Sequence, residues 1–243
     1  MEFKNSYSDS VRAESYSKLG FPNTYFLAFR DLAAIIFKYV KGTKALDFGC
    51  GTGRSTRYLN NLGFETTGVD ISEEMIRLAK DRDRKGQYQL IKEDRFDGLA
   101  KQSFDLILSA FTFDNIPDFN KRIHLLIRLR SLMKHDGIVI LLDSTPEIYF
   151  HEWASFSTKD FPENRKAKGG DPVKIIMKDV EDKRAVEDII WFEEDYKFSF
   201  DMAGFELLET AKPLGRDNEP FVWINETSIA PWVIYVLGNN HEL

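Results

Sequence analysis

The sequence predicts an α/β fold of the doubly wound type, in which a mostly parallel sheet carries helices on both faces. Short apolar runs alternate five times with segments of helical periodicity between residues 44 and 142, and this alternation is typical of parallel strands joined by crossover helices. The length of 243 residues fits one large domain or a domain with a small appendage. A hydrophobic content of 43% is enough for a packed core and excludes global disorder.

The first part of the predicted fold is a helix followed by two strands. A helix over residues 23–40 is indicated by apolar side chains that recur at helical spacing. The first strand, residues 44–48, is a buried apolar run that leads into a glycine-rich turn. A helix over residues 54–62 follows the turn, and the second strand, residues 65–69, ends on Asp70.

The next elements continue the alternation. Ser72 begins a helix that we predict to extend through Lys80, because serine caps helix N-termini well. The third strand is predicted over residues 88–91. The fourth strand is predicted over residues 104–110, after a short and weakly helical piece.

The clearest helix in the chain is predicted over residues 121–134. Its leucines share one face, and Arg122 is predicted to point away from that face toward solvent. Asp136-Gly137 is predicted to turn the chain into the fifth strand, residues 138–142. With five strands separated by helical segments, the sequence predicts parallel pairing in this region.

The pattern changes after Ser144. We predict a single domain over residues 1–243, with a lid segment at residues 1–23 and a cap insertion at residues 145–192. The insertion is rich in aromatic residues and lacks a regular period, but it ends in two strands that form an antiparallel hairpin. The remaining predicted elements are the hairpin strands 173–177 and 185–192, a helix at 193–203, and strands at 205–210 and 232–237.

Composition excludes several classes of protein. The net charge of −6 argues against a nucleic-acid partner, since such a protein needs a basic face. Cys50 is the single cysteine, so no internal disulfide can form, and the four histidines show no metal-ligand spacing. No apolar run reaches the roughly 18–20 residues of a membrane span, and the polar N-terminus does not resemble a secretory signal. We therefore expect no membrane partner, no metal and a cytoplasmic location.

The glycine-rich turn carries the strongest functional pattern. A dinucleotide site needs G-x-G-x-x-G, but Arg54 stands where the third glycine would be. Asp47, two residues before the first glycine, would repel a pyrophosphate and attract an amino group. Asp70, at the end of the following strand, could accept hydrogen bonds from both hydroxyls of a ribose. Each part alone could instead close a turn or cap a helix.

These motifs resemble those of class I S-adenosylmethionine-dependent methyltransferases, of the small-molecule type. The resemblance covers residues 24–143 well and the last two strands loosely. It implies a Rossmann-like, seven-stranded sheet and S-adenosyl-L-methionine as cofactor, with S-adenosyl-L-homocysteine as product. The matching segments are Leu46–Gly53, Gly68–Ser72 with Met75, Phe104–Ile107 and Leu132–Gly137.

The resemblance also implies cofactor-binding roles. Asp47 and the glycine turn would hold the methionine end, Asp70 the ribose hydroxyls, and Ile71 with Met75 the adenine. The other positions implied to contact the cofactor or line its pocket are Gly49, Cys50, Gly51, Gly53, Asp94, Arg95, Ser109, Ala110 and Phe111. Tyr16 and Tyr25, on the N-terminal side, are candidates for a lid over the cofactor or for packing on the outer helix.

No catalytic base can be identified from the sequence, and the candidates are Asp114 and His151. Asp114 could instead cap the following helix, and His151 could be an ordinary loop residue. Aromatic residues of the insertion and beyond are candidate walls of an acceptor pocket, or core residues: Trp153, Trp191 and Trp223. We expect methyl transfer to nitrogen or oxygen of a small-molecule substrate by in-line displacement.

Two alternatives remain open at this point. The first is a non-catalytic protein that binds S-adenosylmethionine and activates a partner, which intact motifs do not exclude. The second is an NAD-dependent oxidoreductase, which Arg54 and Asp47 disfavour. The sequence leaves the assembly open as a monomer or homodimer.

Overall fold

The structure is a computed structural model that describes residues 9–92 and 95–240. Ten strands are assigned in the described residues: β1 Lys44–Phe48, β2 Glu65–Asp70, β3 Gln87–Leu90, β4 Phe104–Ala110, β5 Met133–Ser144, β6 Phe156–Ser157, β7 Pro172–Met177, β8 Val186–Ile189, β9 Phe205–Ala211 and β10 Trp232–Asn239. The α-helices of these residues are α1 Ser10–Ser17, α2 Thr24–Arg30, α3 Leu32–Tyr39, α4 Arg54–Asn61, α5 Glu73–Arg82, α6 Phe119–Leu132 and α7 Glu193–Met202.

The central sheet has seven strands in the order β3-β2-β1-β4-β5-β10-β9. The five strands from β1 to β5 pair in parallel, and β10 runs antiparallel to both β5 and β9. This topology confirms the predicted Rossmann-like, mostly parallel sheet. The strand order reverses between β1 and β4, and in such sheets the crevice at the carboxyl ends of the strands beside the reversal is the usual ligand site.

Both faces of the sheet are buried, because alternate residues of the same strands enter two different cores. In β5, Ile140 and Leu142 pack in the core shared with α2, α3 and the residues after β5. Val139 and Leu141 pack in the opposite core, with side chains of α6 and α7. A strand that is covered on both faces reads as a continuous apolar run, and this is why the sequence pattern of β4 and β5 is unambiguous.

The antiparallel strand pair predicted after the fifth strand is present. Strands β7 and β8 pair antiparallel, and β6 adds to β7 to form a small three-stranded sheet. Trp153 and Ile175 from this part of the chain are buried in the same core as α2 and α3. The insertion therefore shares a hydrophobic core with one face of the main sheet.

Helix α1 is attached to the loop between β7 and β8. Arg12 forms an ion pair with Asp182 at 3.3 Å and donates a hydrogen bond to the carbonyl of Ala185 at 3.0 Å. Asp9, which caps α1 by accepting from Arg12 N, also pairs with Arg184 at 3.0 Å. The predicted lid range begins at residue 1, so its first eight residues lie outside the described part of the chain.

Two predicted element boundaries are wrong. The helix predicted over residues 23–40 is divided into α2 and α3 at Asp31, whose carboxylate pairs with Arg30 at 2.6 Å. Arg30 also pairs with Glu219 at 2.5 Å, so the end of α2 contacts the loop before β10. The turn predicted at Asp136-Gly137 lies inside β5, where the register with β4 shifts and accommodates the extra residues.

The prediction that Arg122 faces solvent is also wrong, since its side chain is fully buried. Its Nη1 donates to the carbonyl of Phe113 at 2.6 Å, and its guanidinium lies 4.5 Å from the ring centroid of Tyr196. The buried carboxylates of Asp114 and Asp143 interact electrostatically with it. Buried negative charge, which the helix pattern alone does not reveal, explains why this arginine is inside.

Candidate active site

The turn between β1 and α4 requires glycine at three positions. Gly49, Gly51 and Gly53 have φ angles of +74°, +52° and +79°, which only glycine adopts readily. A Cβ atom at Gly49 would lie 2.1 Å from the Oγ1 of Thr112, and one at Gly53 would lie 2.5 Å from the hydroxyl of Tyr88. No atom lies within 4 Å of the corresponding point at Gly51. The backbone at Gly51 is therefore open to close approach by a ligand.

Asp70, the last residue of β2, is joined to this turn. Its Oδ2 accepts a hydrogen bond from Gly51 N at 2.9 Å, and its Oδ1 accepts from Ser72 N at 2.8 Å. Burial raises the pKa of the Asp70 carboxyl, while the backbone donors oppose the rise. The carboxylate thus fixes the glycine turn and the start of α5 relative to each other.

Asp47 lies in β1 beneath the turn and is fully buried. Its Oδ2 accepts hydrogen bonds from the hydroxyls of Ser55 at 2.7 Å and Thr56 at 2.6 Å. Its Oδ1 is buried without a hydrogen-bond partner among the described residues. Burial, with a smaller contribution from the charge of Asp70, raises the pKa of Asp47 to about 6. The carboxylate therefore anchors the first turn of α4.

A cleft of about 890 Å³ opens above these residues, at the carboxyl ends of the parallel strands. Gly51 and Asp70 form part of one wall, and Phe111, just after β4, forms part of another. Side chains of α6, including Lys121 and Leu125, also line the cleft. This volume is in the range of small-molecule and cofactor sites in proteins.

Arg54, the first residue of α4, also lines the cleft although it is largely buried. Its Nη1 donates to the carbonyl of Gly20 at 2.9 Å, and its Nη2 donates to the hydroxyl oxygen of Tyr16 at 3.0 Å. The guanidinium carbon lies 4.9–5.8 Å from the centroids of five aromatic rings, a distance at which cation–π attraction operates. Those rings belong to Tyr16, Phe21, Tyr25, Phe29 and Phe111.

A second, smaller cavity adjoins the cleft beneath the insertion. About 40 Å³ of it is free to water-sized groups, and Tyr16, Phe111 and Asn115 line both spaces. The φ angle of Phe111 is +58°, a strained conformation for a side chain of this size. Its ring lies 4.8 Å from that of Trp232, which is another wall of the small cavity. The two spaces therefore meet at Phe111.

Two carboxylates line the small cavity. Asp114 is buried, with Oδ2 accepting from the backbone N and the Oγ of Ser144 at 3.2 and 2.8 Å, and Oδ1 from the hydroxyl of Tyr196 at 3.3 Å. Asp188, in β8, accepts a hydrogen bond from the hydroxyl of Tyr149 at 3.2 Å. Burial, followed by the charge of Asp114, raises the pKa of Asp188 to about 7. Burial also raises the pKa of Asp114, so the aromatic walls enclose two carboxyl groups whose ionised forms are disfavoured by burial.

Comparison with known proteins gives one family and several relatives. Residues 46–141 match the family model described as a methyltransferase domain. N-demethylindolmycin N-methyltransferase from Streptomyces griseus is 23% identical over 207 residues, which are 84% of this chain and 85% of that protein. Demethylmenaquinone methyltransferase from Staphylococcus aureus is 32% identical over 110 residues, which are 43% of this chain. The chain spans 44% of the length of the latter enzyme.

Solved structures agree in fold. A S-adenosylmethionine-dependent methyltransferase from Clostridium acetobutylicum aligns with 96% of each chain covered, a TM-score of 0.62 and 15% identity. A match at 15% identity shows that the two folds are alike and no more. The family match covers the glycine turn and the strands that follow it. Together these matches support a class I S-adenosylmethionine-dependent methyltransferase.

S-adenosylmethionine is the methyl donor of this methyltransferase, and the residues of the cleft fit it. The backbone at Gly51 is open to close approach, and Asp70 presents a carboxylate in the adjoining wall. A positively charged sulfur also suits the aromatic rings that surround the meeting point at Phe111. The matches to methyltransferases favour this activity over the NAD-dependent oxidoreductase considered from the sequence.

Most of the residues predicted to contact the cofactor come together in the cleft of the methyltransferase. Residues from the glycine turn, from β2 and α5, and from the end of β4 share its walls with Tyr16. The predicted residues found there are Gly49, Cys50, Gly51, Asp70, Ile71, Met75, Ala110, Phe111 and Tyr16. Contact of each with the donor stays a prediction.

Other predicted residues lie elsewhere. Asp47, Gly53 and Ser109 do not form part of the cleft wall, and Ser109 is fully buried. Arg95 is exposed, with Asp97 at 4.0 Å. Tyr25 lines the small cavity and not the cleft, because α2 packs against the strands of the insertion.

Asp94 lies outside the described residues.

The two candidate bases differ in position. Asp114 lines the small cavity next to the cleft, but it does not cap the following helix, since Asp118 does so. His151 lies in neither space, and its Nε2 is 3.0 Å from Glu147 Oε2. The three candidate tryptophans do not line either space: Trp153, Trp191 and Trp223 pack in or against the hydrophobic cores.

The cleft and the small cavity have lining residues that were not among the sequence-based candidates, and these include Arg54, Asp188 and Trp232. Arg54 enters the sequence analysis only as a departure from the dinucleotide pattern, although its position directly after the glycine turn places it in the cleft wall. Asp188 lies in a short strand, and its position depends on packing between β8 and the 3₁₀ turn Phe113–Asn115. Trp232 begins β10 and pairs with Ser144 at the carboxyl end of β5, and a tryptophan at this edge of the sheet is a candidate pocket wall.

None of the helices in the described residues combines the length and the apolar character that crossing a membrane requires. Within the same residues, no group of three or more His, Cys, Asp or Glu side chains is placed to hold a metal ion.

Proposed function

We propose that this methyltransferase transfers a methyl group to a small-molecule acceptor at nitrogen or oxygen, and that the small cavity beneath the insertion receives the reacting group. The observation that carries the proposal is the junction between the two spaces, at which Tyr16, Phe111 and Asn115 belong to both. An acceptor atom in the small cavity would face a donor held in the cleft. In-line transfer needs such a fixed arrangement more than it needs any chemical group from the protein.

The roles proposed for the donor side follow the contacts. Asp70 would accept hydrogen bonds from the ribose hydroxyls, with Ile71 and Met75 beside the adenine. Asp47 would act on the methionine ammonium through Ser55, which it orients and which lines the cleft. Arg54 would attract the methionine carboxylate from the other side of the glycine turn. Bound in this way, the donor supplies a methyl group on a positively charged sulfur.

Several observations favour a small acceptor. The free volume of the small cavity, about 40 Å³, admits a small functional group and not a folded macromolecule. The net charge of −6 does not favour nucleic acid. The two named relatives act on small molecules according to their names, and one of them is an N-methyltransferase.

Transfer of labelled methyl groups would test the proposal. The protein is incubated with methyl-labelled S-adenosylmethionine and, separately, with a dialysed protein fraction, with tRNA and with the dialysable metabolites of a cell extract. We expect enzyme-dependent label only among the dialysable products, and much less of it with an Asp70→Ala variant when S-adenosylmethionine is not saturating. Label in the protein or tRNA fraction would contradict the small-molecule proposal.

A further inference from the structure

Most side-chain donors that line the small cavity are used within the protein. Tyr149 donates to Asp188, Ser144 donates to Asp114, and Asn115 Nδ2 donates to the carbonyl of Phe111 at 3.2 Å. Two further donors are also engaged: Tyr25 OH donates to Met177 Sδ at 3.4 Å, and Trp232 Nε1 donates to Thr24 O at 2.7 Å. The hydroxyl oxygen of Tyr16 accepts a hydrogen bond from Arg54 Nη2 at 3.0 Å. A ligand that carries hydrogen-bond donors would therefore complement this cavity.

One residue that lines the cavity has an unused hydrogen-bond acceptor. The Oδ1 atom of Asn115 is buried and has no hydrogen-bond partner among the described residues. A buried carbonyl oxygen left unpaired is costly, and a ligand N–H at this position would satisfy it. Because Asn115 lines both spaces, a donor group bound there would lie next to the methyl donor.

The cavity is surrounded by more acidic than basic side chains, and its faces are aromatic. Asp114 and Asp188 line it, and Asp143 lies behind Asp114 in the same buried layer. The guanidinium of Arg122 is the cation buried beside Asp114 and Asp143, so the layer has more carboxylates than cations. Ring faces of Phe111, Trp232 and their neighbours surround the space, and such faces attract cations.

We propose that the methyl acceptor is a primary or secondary amine that arrives protonated, that its ammonium group binds between Asn115 and Asp188, and that Asp188 takes up its proton. The proposal rests on the proposed function of this cavity. Asp188 is chosen over Asp114 because Asp114 already accepts three hydrogen bonds, whereas Asp188 accepts one, from Tyr149.

The chemical step balances without a further reactant. One N–H bond of the ammonium breaks, its proton goes to a carboxylate oxygen of Asp188, and the electron pair returns to nitrogen. That pair forms the new bond to the methyl carbon while the pair of the carbon–sulfur bond stays on sulfur. The product is a methylated ammonium, the donor becomes neutral S-adenosylhomocysteine, and the proton on Asp188 is later lost to water.

The acid–base environment of Asp188 agrees with this role. Burial and the charges of Asp114 and Glu187 raise its pKa to about 7, while the Tyr149 hydroxyl and the charge of Arg12 oppose the rise. A carboxyl group that titrates near neutral pH can both bind an ammonium as the anion and hold the proton that it releases. An ordinary aspartate would be a far weaker proton acceptor.

Binding of matched probes tests the proposal in the complex with S-adenosylhomocysteine. Calorimetric titrations compare methylamine, propylamine and benzylamine with methanol, propanol and benzyl alcohol. We expect at least one amine to bind at least about tenfold more tightly than its alcohol, since charge-assisted hydrogen bonds are the stronger ones. The preference should grow as the pH rises through about 7, where Asp188 ionises.

Variants separate Asp188 from the rest of the cavity. Asp188→Asn should remove the preference for the amine and its dependence on pH while binding S-adenosylhomocysteine as the parent does. Asp201→Asn, an exposed aspartate of α7, is the matched control and should keep both.

The outcomes are distinguishable. No binding of S-adenosylhomocysteine would contradict the proposed function itself. Binding of S-adenosylhomocysteine with no amine preferred over its alcohol would overturn the amine proposal alone. An unchanged preference and pH dependence in Asp188→Asn would overturn the role of Asp188.

Discussion

Arg54 Nη2 donates a hydrogen bond to the hydroxyl oxygen of Tyr16 at 3.0 Å, and this bond joins the start of α4 to helix α1. Helix α1 is held on another side by the ion pair of Arg12 with Asp182 in the insertion. The glycine turn, the N-terminal helix and the insertion are therefore connected by polar contacts. Arg54 and Tyr16 both line the cleft, so their hydrogen bond connects the glycine turn to α1 within the cleft wall.

Arg54→Lys should loosen α1 without affecting the sheet. Lysine keeps the charge but cannot reproduce the planar fork that reaches both Gly20 O and Tyr16 OH. Hydrogen bonds to charged groups are worth roughly 1.5–3 kcal/mol each. We expect the amides of α1 to exchange at least about tenfold faster, measured by hydrogen exchange with mass spectrometry.

Arg57→Lys is the matched control, because Arg57 lies in the same helix and bonds only to the carbonyl of Thr52 among the described residues, at 2.8 Å. Exchange in α1 should be unchanged in this variant. Full protection of α1 in Arg54→Lys would show that the aromatic contacts of α1 hold it without the arginine.

Asp70→Ala should weaken binding of S-adenosylhomocysteine by at least about tenfold. The variant removes the charged acceptor proposed for two ribose hydroxyls, and charge-assisted hydrogen bonds are worth roughly 1.5–3 kcal/mol each. It also removes the carboxylate that accepts a hydrogen bond from Gly51 N and fixes the glycine turn in the parent protein. Calorimetric titration gives the affinity, and thermal unfolding shows whether the fold survives.

Asp81→Ala is the control for Asp70→Ala. Asp81 lies on the exposed side of α5, where it pairs with Arg77 at 2.7 Å, and its loss should leave the affinity unchanged. If Asp70→Ala binds as tightly as the parent, the ribose role is wrong.

Asp47→Asn should change how stability depends on pH. Burial raises the pKa of Asp47 to about 6 in the folded protein, against an ordinary value of 3.8. The folded protein therefore favours the protonated form of Asp47. Because of this, the free energy of unfolding of the parent falls by about 3 kcal/mol as the pH rises from about 4 to above 6. Asparagine does not ionise, so this loss is absent from the variant.

Urea unfolding at a series of pH values measures the effect. The free energy of unfolding of Asp47→Asn, minus that of the parent, should increase by about 3 kcal/mol between pH ~4 and pH ~7. The exposed Asp217→Asn should show a nearly constant difference. A constant difference for Asp47→Asn as well would mean that Asp47 keeps an ordinary pKa in the folded state.

Most of the fold and of the donor cleft could be predicted because the signals are local. The strands β4 and β5 are covered on both faces, and this makes their apolar runs continuous in the sequence. The glycine turn and Asp70 lie within twenty-odd residues of each other, and each needs a particular residue type for a backbone or charge reason. At these residues, the sequence pattern alone indicates where the side chain or backbone lies in the fold.

The small cavity proposed for the acceptor could not be predicted because it depends on contacts between distant segments. Asp188 lines this cavity because β8 packs against the turn Phe113–Asn115. His151, in contrast, is close in sequence to that insertion but is bonded to Glu147 outside both spaces. The interior position of Arg122 likewise depends on Asp114 and Asp143, which no helical periodicity reveals.

Arg122→Met should be among the most destabilising single changes in the protein. Methionine keeps much of the apolar stem but leaves Asp114 and Asp143 buried without their neighbouring cation. Removing one partner of a buried ionic group costs about 3–5 kcal/mol. Arg128→Met, on the same helix with its guanidinium 4.9 Å from the ring of Phe96, should cost much less in urea unfolding.

The dependence of this loss on pH identifies its cause. Without the guanidinium, the pKa values of the Asp114 and Asp143 carboxyls rise further, because burial already raises both and Arg122 opposes the rise. At low pH both carboxyls are protonated in the folded and the unfolded protein, and no buried charge is left unpaired. The deficit of Arg122→Met should therefore shrink as the pH falls toward about 4. A deficit of the same size at every pH would mean that Arg122 stabilises the core by packing against Phe113, Trp191 and Tyr196, and that its charge contributes little.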